Sequence, residues 1–402
     1  MASTLQQLQS RGVRFLAPAT TTVADDVKPG RVAPGVTIHP GCRLSGAALA
    51  IGPGSVIGAE APATVSDCQL GADVHLAGGF FDRATFLNGF RAGSGAHVRP
   101  GCLFEEASSF AHSVGVKQTV FFPWVTAGSL INFCDCLMAG GTGRKNHSEI
   151  GSSYVHFNFT PHQDKATASL IGDVPLGVLL NQPAIFLGGQ GGLVGPCRIE
   201  YGTVIPAGQI WRADVTGAGR LVAKPAFSDM IDKPYEPRQY HAVRRVFRNN
   251  LLYIGNILAL DAWYRVFRAP FMQGDVYLSA CYAGARARLA EILEERLSRL
   301  DEFAQKVAQS LALDLSGSWD VEHRAFVGQW PALKNLLADR IGAREAVPTP
   351  ENVQEIAEAL PAGDYLKAVQ SLPPESAWVL TAWLEAYPAA LAGLDDGGGV
   401  TR

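Results

Sequence analysis

An aliphatic residue returns at every sixth position of the segment 187–211, LGGQGGLVGPCRIEYGTVIPAGQIW. Leu187, Leu193, Ile199 and Ile205 are six residues apart, and Trp211 continues the register. A step of six fits neither the period of a helix nor the alternation of a strand. It fits a chain that turns a corner every six residues and points one aliphatic side chain inward from each flat side, with glycine or proline at the corners. The alternative, a glycine-rich loop with chance spacing, requires four successive coincidences.

The same six-residue repeat occurs earlier in the chain and predicts a parallel β-helix. Three flat sides form one coil, and a coil buries its aliphatic residues only by stacking on its neighbours. Earlier repeat positions are Val32, Ile38 and Leu44, then Ile51 and Ile57, then Leu70 and Leu76. We therefore predict a β-helix domain over residues 30–215, preceded by an N-terminal lead-in over 1–29. Two insertions are expected to leave the stack, at 138–148 and at 173–184.

The composition changes after about residue 240, where glycine becomes rarer and charged residues become more frequent. Apolar residues then step by three and four, the spacing of an amphipathic helix. They are Leu289, Leu293, Leu297, Leu300, Ala304, Val307 and Leu311. We predict a mostly α-helical C-terminal region over 240–390 and a disordered tail over 391–402. Such a region could stabilise an oligomer, cover a site or bind a partner, and we favour a structural or oligomeric role.

The composition argues against several classes of protein. The 402 residues carry a formal net charge of −3, so nothing indicates a nucleic-acid or anionic-membrane partner. Seven cysteines occur without a CxxC pair, which argues against a zinc ribbon or a disulfide framework. The N-terminal segment lacks the apolar core of a signal peptide, and no apolar run is as long as a membrane span. We expect a cytoplasmic protein that binds neither nucleic acid nor membrane.

Polar side chains are concentrated in the segment 147–165, which precedes the quoted repeats. This segment contains His147, His156, Asn158, His162, Asp164 and Lys165. Imidazoles beside an ammonium suit acyl transfer or phosphate binding, because histidine can accept a proton and lysine can bind phosphate oxygens. The same groups could bind a metal ion, and the plain alternative is a solvated corner whose polar residues cap turns. Residues one coil apart can meet, because neighbouring coils lie about 4.8 Å apart.

The order of several segments resembles that in one known family. The segments are HVRPGCLFEE, AHSVGVKQTV, AGSLINFCD, SEIG, NF and SLIGD, followed by the quoted repeats, over about 185 residues. This stretch resembles the left-handed β-helix domain of the bifunctional N-acetylglucosamine-1-phosphate uridyltransferase/glucosamine-1-phosphate acetyltransferase. The resemblance implies a left-handed parallel β-helix and a homotrimer with sites between subunits. It also implies acetyl-CoA as acyl donor, a sugar phosphate or nucleotide sugar as ligand, and no metal ion.

The resemblance assigns ligand-binding roles to individual residues. Family members hold the sugar phosphate with the arginine of an Arg-Pro-Gly motif and a lysine 18 positions later, which correspond to Arg99 and Lys117. Two cations on adjacent coils suit a phosphate or pyrophosphate. The asparagine of the family's substrate strand corresponds to Asn158. The acetyl-CoA region of the family corresponds to Gly189 and Ala207.

The chain departs from the family at the catalytic base. In the family an Ala-Gly pair is followed by a histidine and, three residues later, by a tyrosine, whereas this chain has Ser129 and Asn132 there. A serine hydroxyl does not by itself take a proton from an amine substrate near neutral pH. The family lysine is also displaced by one position, to Lys165. We retain these three residues as substrate-binding candidates. The candidates for the catalytic base are His147, His156 and His162.

The second domain of the family's bifunctional enzyme has no counterpart in the sequence. Uridyl transfer requires a Rossmann-like domain of about 230 residues, and only about 30 residues precede the first repeat. The segment LMAGGTGRK at 137–145 looks like the glycine-rich nucleotide loop of pyrophosphorylases. Because no βαβ pattern surrounds it, we interpret it as a flexible insertion.

Three functions remain open from the sequence. The first is an acyltransferase that acts on an amino-sugar phosphate or nucleotide sugar with acetyl-CoA as donor. The second is a non-catalytic sugar-nucleotide-binding protein that has lost the base. The third is a metal-dependent enzyme like the γ-class carbonic anhydrases, which need three histidines around a zinc ion. The spacing of the three candidate histidines does not match that family closely.

Overall fold

The computed structural model of the chain describes residues 2–157, 165–224, 240, 242–313 and 320–394. It consists of a parallel β-solenoid followed by a helical region, which confirms the fold predicted from the six-residue repeat. The first strand begins at Arg14, within the segment predicted as lead-in, and the last strand ends at Trp211. Among the described residues, no helix has both the length and the apolar character needed to span a bilayer.

The tail expected to be disordered over 391–402 is described only at its start. Leu391 and Leu394 are buried there, and the last helix continues to Ala392. The remainder, 395–402, lies outside the described residues.

Most strands contain two to four residues, because each covers one flat side of a coil. Strands β1 to β14 are Arg14–Phe15, Thr22–Val23, Thr37–Ile38, Arg43–Ser45, Ala50–Ile51, Val56–Ile57, Ala63–Ser66, Gln69–Leu70, His75–Leu76, Gly79–Asp82, Ala84–Phe86, Arg91–Ala92, Ala96–Val98 and Cys102–Phe104. Strands β15 to β28 are Ser109–Phe110, Val114–Phe121, Thr126–Ala127, Ile131–Met138, Gly141–Gly143, Asn146–His147, Glu149–Ile150, Val155–Phe157, Ser169–Ile171, Phe186–Leu187, Gly192–Val194, Arg198–Ile199, Val204–Ile205 and Ile210–Trp211. Helices α1 to α9 are Thr4–Ser10, Val174–Gly177, Val243–Trp263, Ala269–Met272, Val276–Leu311, Asp320–Gly342, Glu351–Glu358, Tyr365–Gln370 and Pro374–Ala392, and a π-helical turn, Tyr264–Arg268, joins α3 to α4.

The coils stack in parallel register and form three sides. Side A has ten strands, in the order β1-β3-β6-β9-β12-β15-β17-β21-β24-β27. A second sheet of sixteen strands forms the other two sides. Side B contains β4, β7, β10 and β13, side C contains β5, β8, β11 and β14, and β16 and β18 run through the corner between these two sides. Each coil therefore passes from side A to side B and then to side C.

The repeat positions form the interior of the solenoid. At most 1% of the surface of each of these residues is exposed: Val32, Ile38, Leu44, Ile51, Ile57, Leu70, Leu76, Leu187, Leu193, Ile199 and Ile205. Trp211 pairs in register with Leu193, but it is only partly buried because its strand is the last of the solenoid. In the central coils phenylalanine rings fill the interior, as in the pair Phe86 and Phe104, whose centroids are 5.3 Å apart.

Both predicted insertions leave the regular stack. The first forms a hairpin of β19 and β20, in which Gly141 pairs with His147 in antiparallel orientation. It connects side C to side A, between β18 and β21. The second contains the short helix α2, whose N-cap Asp173 accepts a hydrogen bond from the backbone N–H of Leu176.

Helix α5 is the helix predicted from the apolar residues that step by three and four. It begins after its N-cap Asp275 and contacts strands β5, β8, β11 and β14 of side C. The approach is closest at Gly284, where a Cβ atom would lie 2.1 Å from Oε1 of Gln69. Helix α3 packs against α5, α9 and β23. The larger contacts of these described helices with the solenoid therefore fall on side C.

Buried ion pairs fix the helices on the solenoid. Arg268, at the end of the π-helical turn, pairs with Glu105 and Glu106. Arg296 of α5 pairs with Asp135 of β18. Both guanidinium side chains are only 1% exposed. Because a buried charge is costly unless it is paired, these contacts specify how the helices dock.

Candidate functional site

One corner of the solenoid carries a row of small and polar residues, which we call the corner column. Its members are the second residues after β15, β17, β21, β24 and β27, namely His112, Ser129, Ser152, Gly189 and Ala207. The N–H of the residue after Ser129 donates to the carbonyl of His112 at 3.1 Å. The following three coils repeat this bond at 2.8, 2.7 and 2.9 Å. The corner thus aligns Gly189 and Ala207, expected to bind acetyl-CoA, with Ser129, which replaces the family histidine.

A glycine that directly precedes a corner-column residue in the sequence permits close stacking of the coils. A Cβ atom on Gly151 would lie 2.3 Å from the backbone nitrogen of Gly189, and one on Gly188 would lie 2.2 Å from that of Ala207. Neither distance leaves room for a side chain, so only glycine fits at these two positions. Glycine at these two positions therefore brings the backbone of successive coils together here.

Ser129 and His112 form a hydrogen-bonded pair across two coils. Ser129 Oγ lies 2.8 Å from Nδ1 of His112, whose side chain is exposed. When Nδ1 is unprotonated, the hydroxyl donates to it. The backbone N–H of Ser129 donates to Ser152 Oγ at 3.1 Å, so the serine is held from both neighbouring coils. This pair places an imidazole beside the position where the family has its histidine.

His112 was absent from the candidates chosen from the sequence. Its pairing with Ser129 follows from the register, since Phe110 pairs with Ala127 and the coil between them has 17 residues. Subtracting this coil length of 17 residues from position 129 gives His112. The candidates from the sequence came instead from the histidine-rich segment that follows.

Four backbone N–H groups of the corner column have no acceptor among the described residues of the protein. They belong to His112, Ser152, Gly189 and Ala207. The last three lie on successive coils, which space them at about 4.8 Å. Such a row of free donors suits an extended ligand that carries several carbonyl groups.

Two predicted phosphate-binding cations lie together on side B. Lys117 of β16 pairs in register with Cys134 of β18, and Nη2 of Arg99 lies 3.1 Å from Cys134 Sγ. Burial raises the pKa of Cys134 to about 11, so this neighbour is a neutral thiol near pH 7. Arg99 has no carboxylate partner in the part of the chain that the structure describes. Asn132, which is exposed on the same outward face of β18, lies between these cations and Ser129 along the coil.

Helix α5 adds a carboxylate to this cationic face. Nζ of Lys117 lies 3.3 Å from Glu295, which also accepts hydrogen bonds from Arg299 at 2.9 and 3.0 Å. Burial opposes the ionisation of Glu295, but the hydrogen bonds from Arg299 and the charge of Lys117 outweigh it and lower its pKa. A cavity of about 550 Å³ opens between Lys117 and α5. No pattern in the sequence predicts this contact, which joins residues 178 positions apart.

The structure places two of the three predicted base histidines away from the corner column. His156 faces the interior of the solenoid, where it is 6% exposed and Nε2 lies 2.9 Å from Ser169 Oγ. Burial lowers the pKa of His156 to about 4. His147 belongs to the hairpin before β21, whereas the corner column follows β21, and its Nδ1 lies 3.0 Å from the carbonyl of Arg144. His162 lies outside the described residues.

Of the remaining predicted residues of this segment, only Lys165 lies within the described ranges. Lys165 is exposed, and its carbonyl accepts a hydrogen bond from Arg296 at 3.2 Å. Asn158, expected to orient the sugar, lies outside the described residues. Within the described ranges, no three histidine, cysteine, aspartate or glutamate side chains converge in a way that could hold a metal ion.

Comparison with known proteins gives similarity to one group of curated proteins. The bifunctional protein GlmU of Thermotoga sp. strain RQ2 is 26% identical over 223 residues, which cover 54% of this chain and 44% of that protein. GlmU of Nitratidesulfovibrio vulgaris strain DP4 is 24% identical over 232 residues, covering 56% of this chain and 44% of that protein. GlmU of Thermus thermophilus is 29% identical over 189 residues, covering 47% of this chain and 37% of that protein.

The chain spans less than half of the length of the curated relatives that it matches. No protein-family model matches the chain. The similarities and the parallel β-solenoid confirm the resemblance inferred from the sequence: the chain carries a domain like the acetyltransferase-type domain of GlmU.

Proposed function

We propose that the protein is an acyltransferase that transfers an acyl group from acetyl-CoA to a phosphorylated amino sugar or nucleotide sugar. The observation that carries this proposal is the corner column, in which the Ser129–His112 pair is aligned with Gly189 and Ala207. An imidazole beside a row of free backbone donors is the minimum that acyl transfer from a thioester requires, a proton acceptor and an oxyanion-binding group.

The donor binds along the corner column in this proposal. The free N–H groups of Gly189 and Ala207 suit the two amide carbonyl groups of the pantetheine arm of coenzyme A, and that of Ser152, nearest to Ser129, suits the thioester carbonyl. The arm is extended and carries amides, and each coil offers one donor at about 4.8 Å spacing.

The acceptor binds on the adjacent side B. Arg99 and Lys117 provide two cations for its phosphate, and Asn132 provides an amide near the sugar. Asn158 and Lys165 remain further binding candidates from the resemblance.

We assign the proton acceptor to His112 rather than to His147, His156 or His162. His112 is exposed and touches the residue at the family base position, whereas His156 is buried and its pKa is lowered to about 4. A proton acceptor must lie within hydrogen-bond reach of the group that it deprotonates.

We further propose a homotrimer with the corner column at the subunit interface. Leu130, directly after Ser129, is 58% exposed, and the paired side A residues Phe186 and Val204 are each 38% exposed. Exposed apolar residues that cluster next to a site suit a contact with a second copy. The larger helix contacts on side C leave this surface accessible.

The test is calorimetric titration with acetyl-CoA and with glucosamine-1-phosphate, followed by an assay of free thiol release when both are present. Both ligands are expected to bind, and thiol is expected to appear only with an acceptor amine or hydroxyl. Arg99→Gln and Lys117→Gln should each weaken sugar-phosphate binding about 30-fold, about 2 kcal/mol for a charge-assisted hydrogen bond. Arg43→Gln, an exposed arginine on strand β4 of the same side, is the matched control and should change nothing. Equal losses in all three variants contradict the assigned phosphate site.

A second candidate, a non-catalytic sugar-nucleotide-binding protein, is favoured by two observations. Lys117 already has the carboxylate of Glu295 as its partner, and Ser129 stands where the family has a histidine. This candidate predicts binding of UDP-N-acetylglucosamine that depends on Arg99, without binding of acetyl-CoA. The same titrations separate the two functions.

A further inference from the structure

We propose that Ser129 is the nucleophile of the transfer, so that the acyl group passes through an acyl-serine on the protein. This inference rests on the proposed function and adds a covalent step to it. It starts from the contact of 2.8 Å between Ser129 Oγ and Nδ1 of His112. A serine hydroxyl is a weak nucleophile until an adjacent base takes its proton, and an imidazole within hydrogen-bond distance is the usual base.

The surroundings of Ser129 fix its hydroxyl in place. Its backbone N–H is bonded to Ser152 Oγ on the next coil, at 3.1 Å, and its side chain to His112 on the previous coil. Its carbonyl accepts the N–H of Ser153 at 2.8 Å. A nucleophile held from both sides needs little reorganisation to attack.

A donor for the developing oxyanion lies against the same turn. A Cβ atom on Gly128 would be 2.8 Å from the backbone nitrogen of Ser152, so this N–H group is next to the chain at Ser129. It has no acceptor among the described residues. A free N–H near the attacked carbonyl stabilises the charge of a tetrahedral intermediate.

The chemistry balances with a thioester as the only co-reactant. Ser129 Oγ attacks the thioester carbonyl carbon, the O–C bond forms, and the hydroxyl proton moves to His112. The C–S bond then breaks and the sulfur leaves with that proton as a free thiol. In the second half, His112 takes a proton from the acceptor amine or hydroxyl, the acceptor attacks the serine ester, and the proton returns to Ser129 Oγ as the ester O–C bond breaks.

The experiment treats the full chain with acetyl-CoA in the absence of an acceptor and measures its intact mass after acid quenching. We expect the mass to increase by one acetyl group per chain, and peptide mapping should place it on Ser129. Ser129→Ala should lose the label, and His112→Gln should slow labelling about 100-fold. Ser94→Ala is the matched control, since Ser94 is the serine at the same corner one coil before His112, and it should label like the wild type.

A second acyl donor distinguishes a failure of the proposed nucleophile from a failure of the proposed acyltransferase function. p-Nitrophenyl acetate needs no coenzyme A site, and it should give a burst of one equivalent of p-nitrophenol that Ser129→Ala abolishes. If thiol release with an acceptor persists in Ser129→Ala, transfer is direct: the nucleophile is wrong and the acyltransferase stands. If the activated ester labels Ser129 while acetyl-CoA neither binds nor reacts, the nucleophile stands and the donor is wrong. Labelling equal in wild type and Ser129→Ala overturns the inference.

Discussion

A histidine that faces the interior of a β-solenoid gives the fold a pH dependence. Burial lowers the pKa of His156 from 6.5 to about 4, with Ser169 Oγ as its neighbour at 2.9 Å. Between these two values the unfolded chain binds a proton that the folded chain does not, so stability falls as the pH falls. The full shift corresponds to about 3 kcal/mol.

We therefore expect the free energy of unfolding to decrease from about pH 6.5 to about pH 4 more steeply in the wild type than in His156→Gln. Urea denaturation at several pH values measures both slopes, and the difference between the two proteins removes the contribution of other titrating groups. His147→Gln is the matched control, because it removes a histidine that lies on the hairpin and not in the interior of the solenoid. Parallel slopes for wild type and His156→Gln would mean that this ring is protonated in the folded protein.

The proximity of site residues could be predicted from the sequence only where a residue type and a spacing both carry information. Arg99 and Lys117 were found through their motif, and the structure brings them together. The sequence could not predict that His156 faces the interior. The strict six-residue repeat is interrupted between Leu76 and Leu187, so it does not fix which residues of the strand that contains His156 point inward. His112 was missed because its partner is defined by a coil length, not by a motif.

The contact between helix α5 and Lys117 should weaken anion binding at the proposed phosphate site. The carboxylate of Glu295 lies 3.3 Å from Nζ of Lys117. A phosphate group must therefore compete with Glu295 for this ammonium group. Glu295→Gln should therefore increase the affinity for glucosamine-1-phosphate about fivefold, since a partly exposed ion pair contributes about 1 kcal/mol. Glu302→Gln is the matched control, because Glu302 bonds to Arg299 on the same helix without touching Lys117. Calorimetric titration of both variants with glucosamine-1-phosphate tests this prediction. Equal affinities of the two variants would show that Glu295 does not compete with the phosphate for Lys117.

The docking of the π-helical turn depends on one buried arginine. Nη2 of Arg268 lies 2.9 Å from Glu106 and 3.0 Å from Glu105, and its guanidinium lies 3.7 Å from the ring centroid of Tyr365. Arg268→Met would leave two carboxylates without their cation, so we expect a loss of about 3–5 kcal/mol in the free energy of unfolding. Arg83→Met, whose side chain is 53% exposed, should lose less than about 1 kcal/mol. Chemical denaturation measures both, and a small loss for Arg268→Met would mean that the helices dock without this ion pair.

The existence of α5 could be predicted from the sequence, but its position could not. Its apolar stripe steps by three and four and is buried except at the half-buried Leu297 and Leu311, as expected for an amphipathic helix. Where that stripe docks depends on shape, as at Gly284, where only glycine admits Gln69. No spacing in the sequence connects Glu295 with Lys117.

At the scale of the whole molecule, the helices and the corner column lie on different parts of the solenoid. The described helices α3 and α5 make their larger solenoid contacts on side C, and the corner column lies where side A passes into side B. The six-residue repeat predicted the solenoid because every coil obeys the same burial rule. It could not predict which side is covered, since all three sides bury the same kind of residue.

The last prediction concerns the proposed trimer, in which a second copy of the chain would cover the otherwise open corner of the solenoid. Phe186 and Val204 are paired on side A and each is 38% exposed. We expect light scattering after size exclusion to give three times the chain mass of 42.8 kDa. Phe186→Glu combined with Val204→Glu should give single chains with an unchanged circular dichroism spectrum, because charges at a desolvated apolar contact oppose association. Trp378→Glu, which changes a residue that is 74% exposed on helix α9, should stay trimeric. If a neighbouring copy completes the site, the double variant should also release less thiol than the wild type. A wild-type particle with the mass of one chain would exclude the trimer.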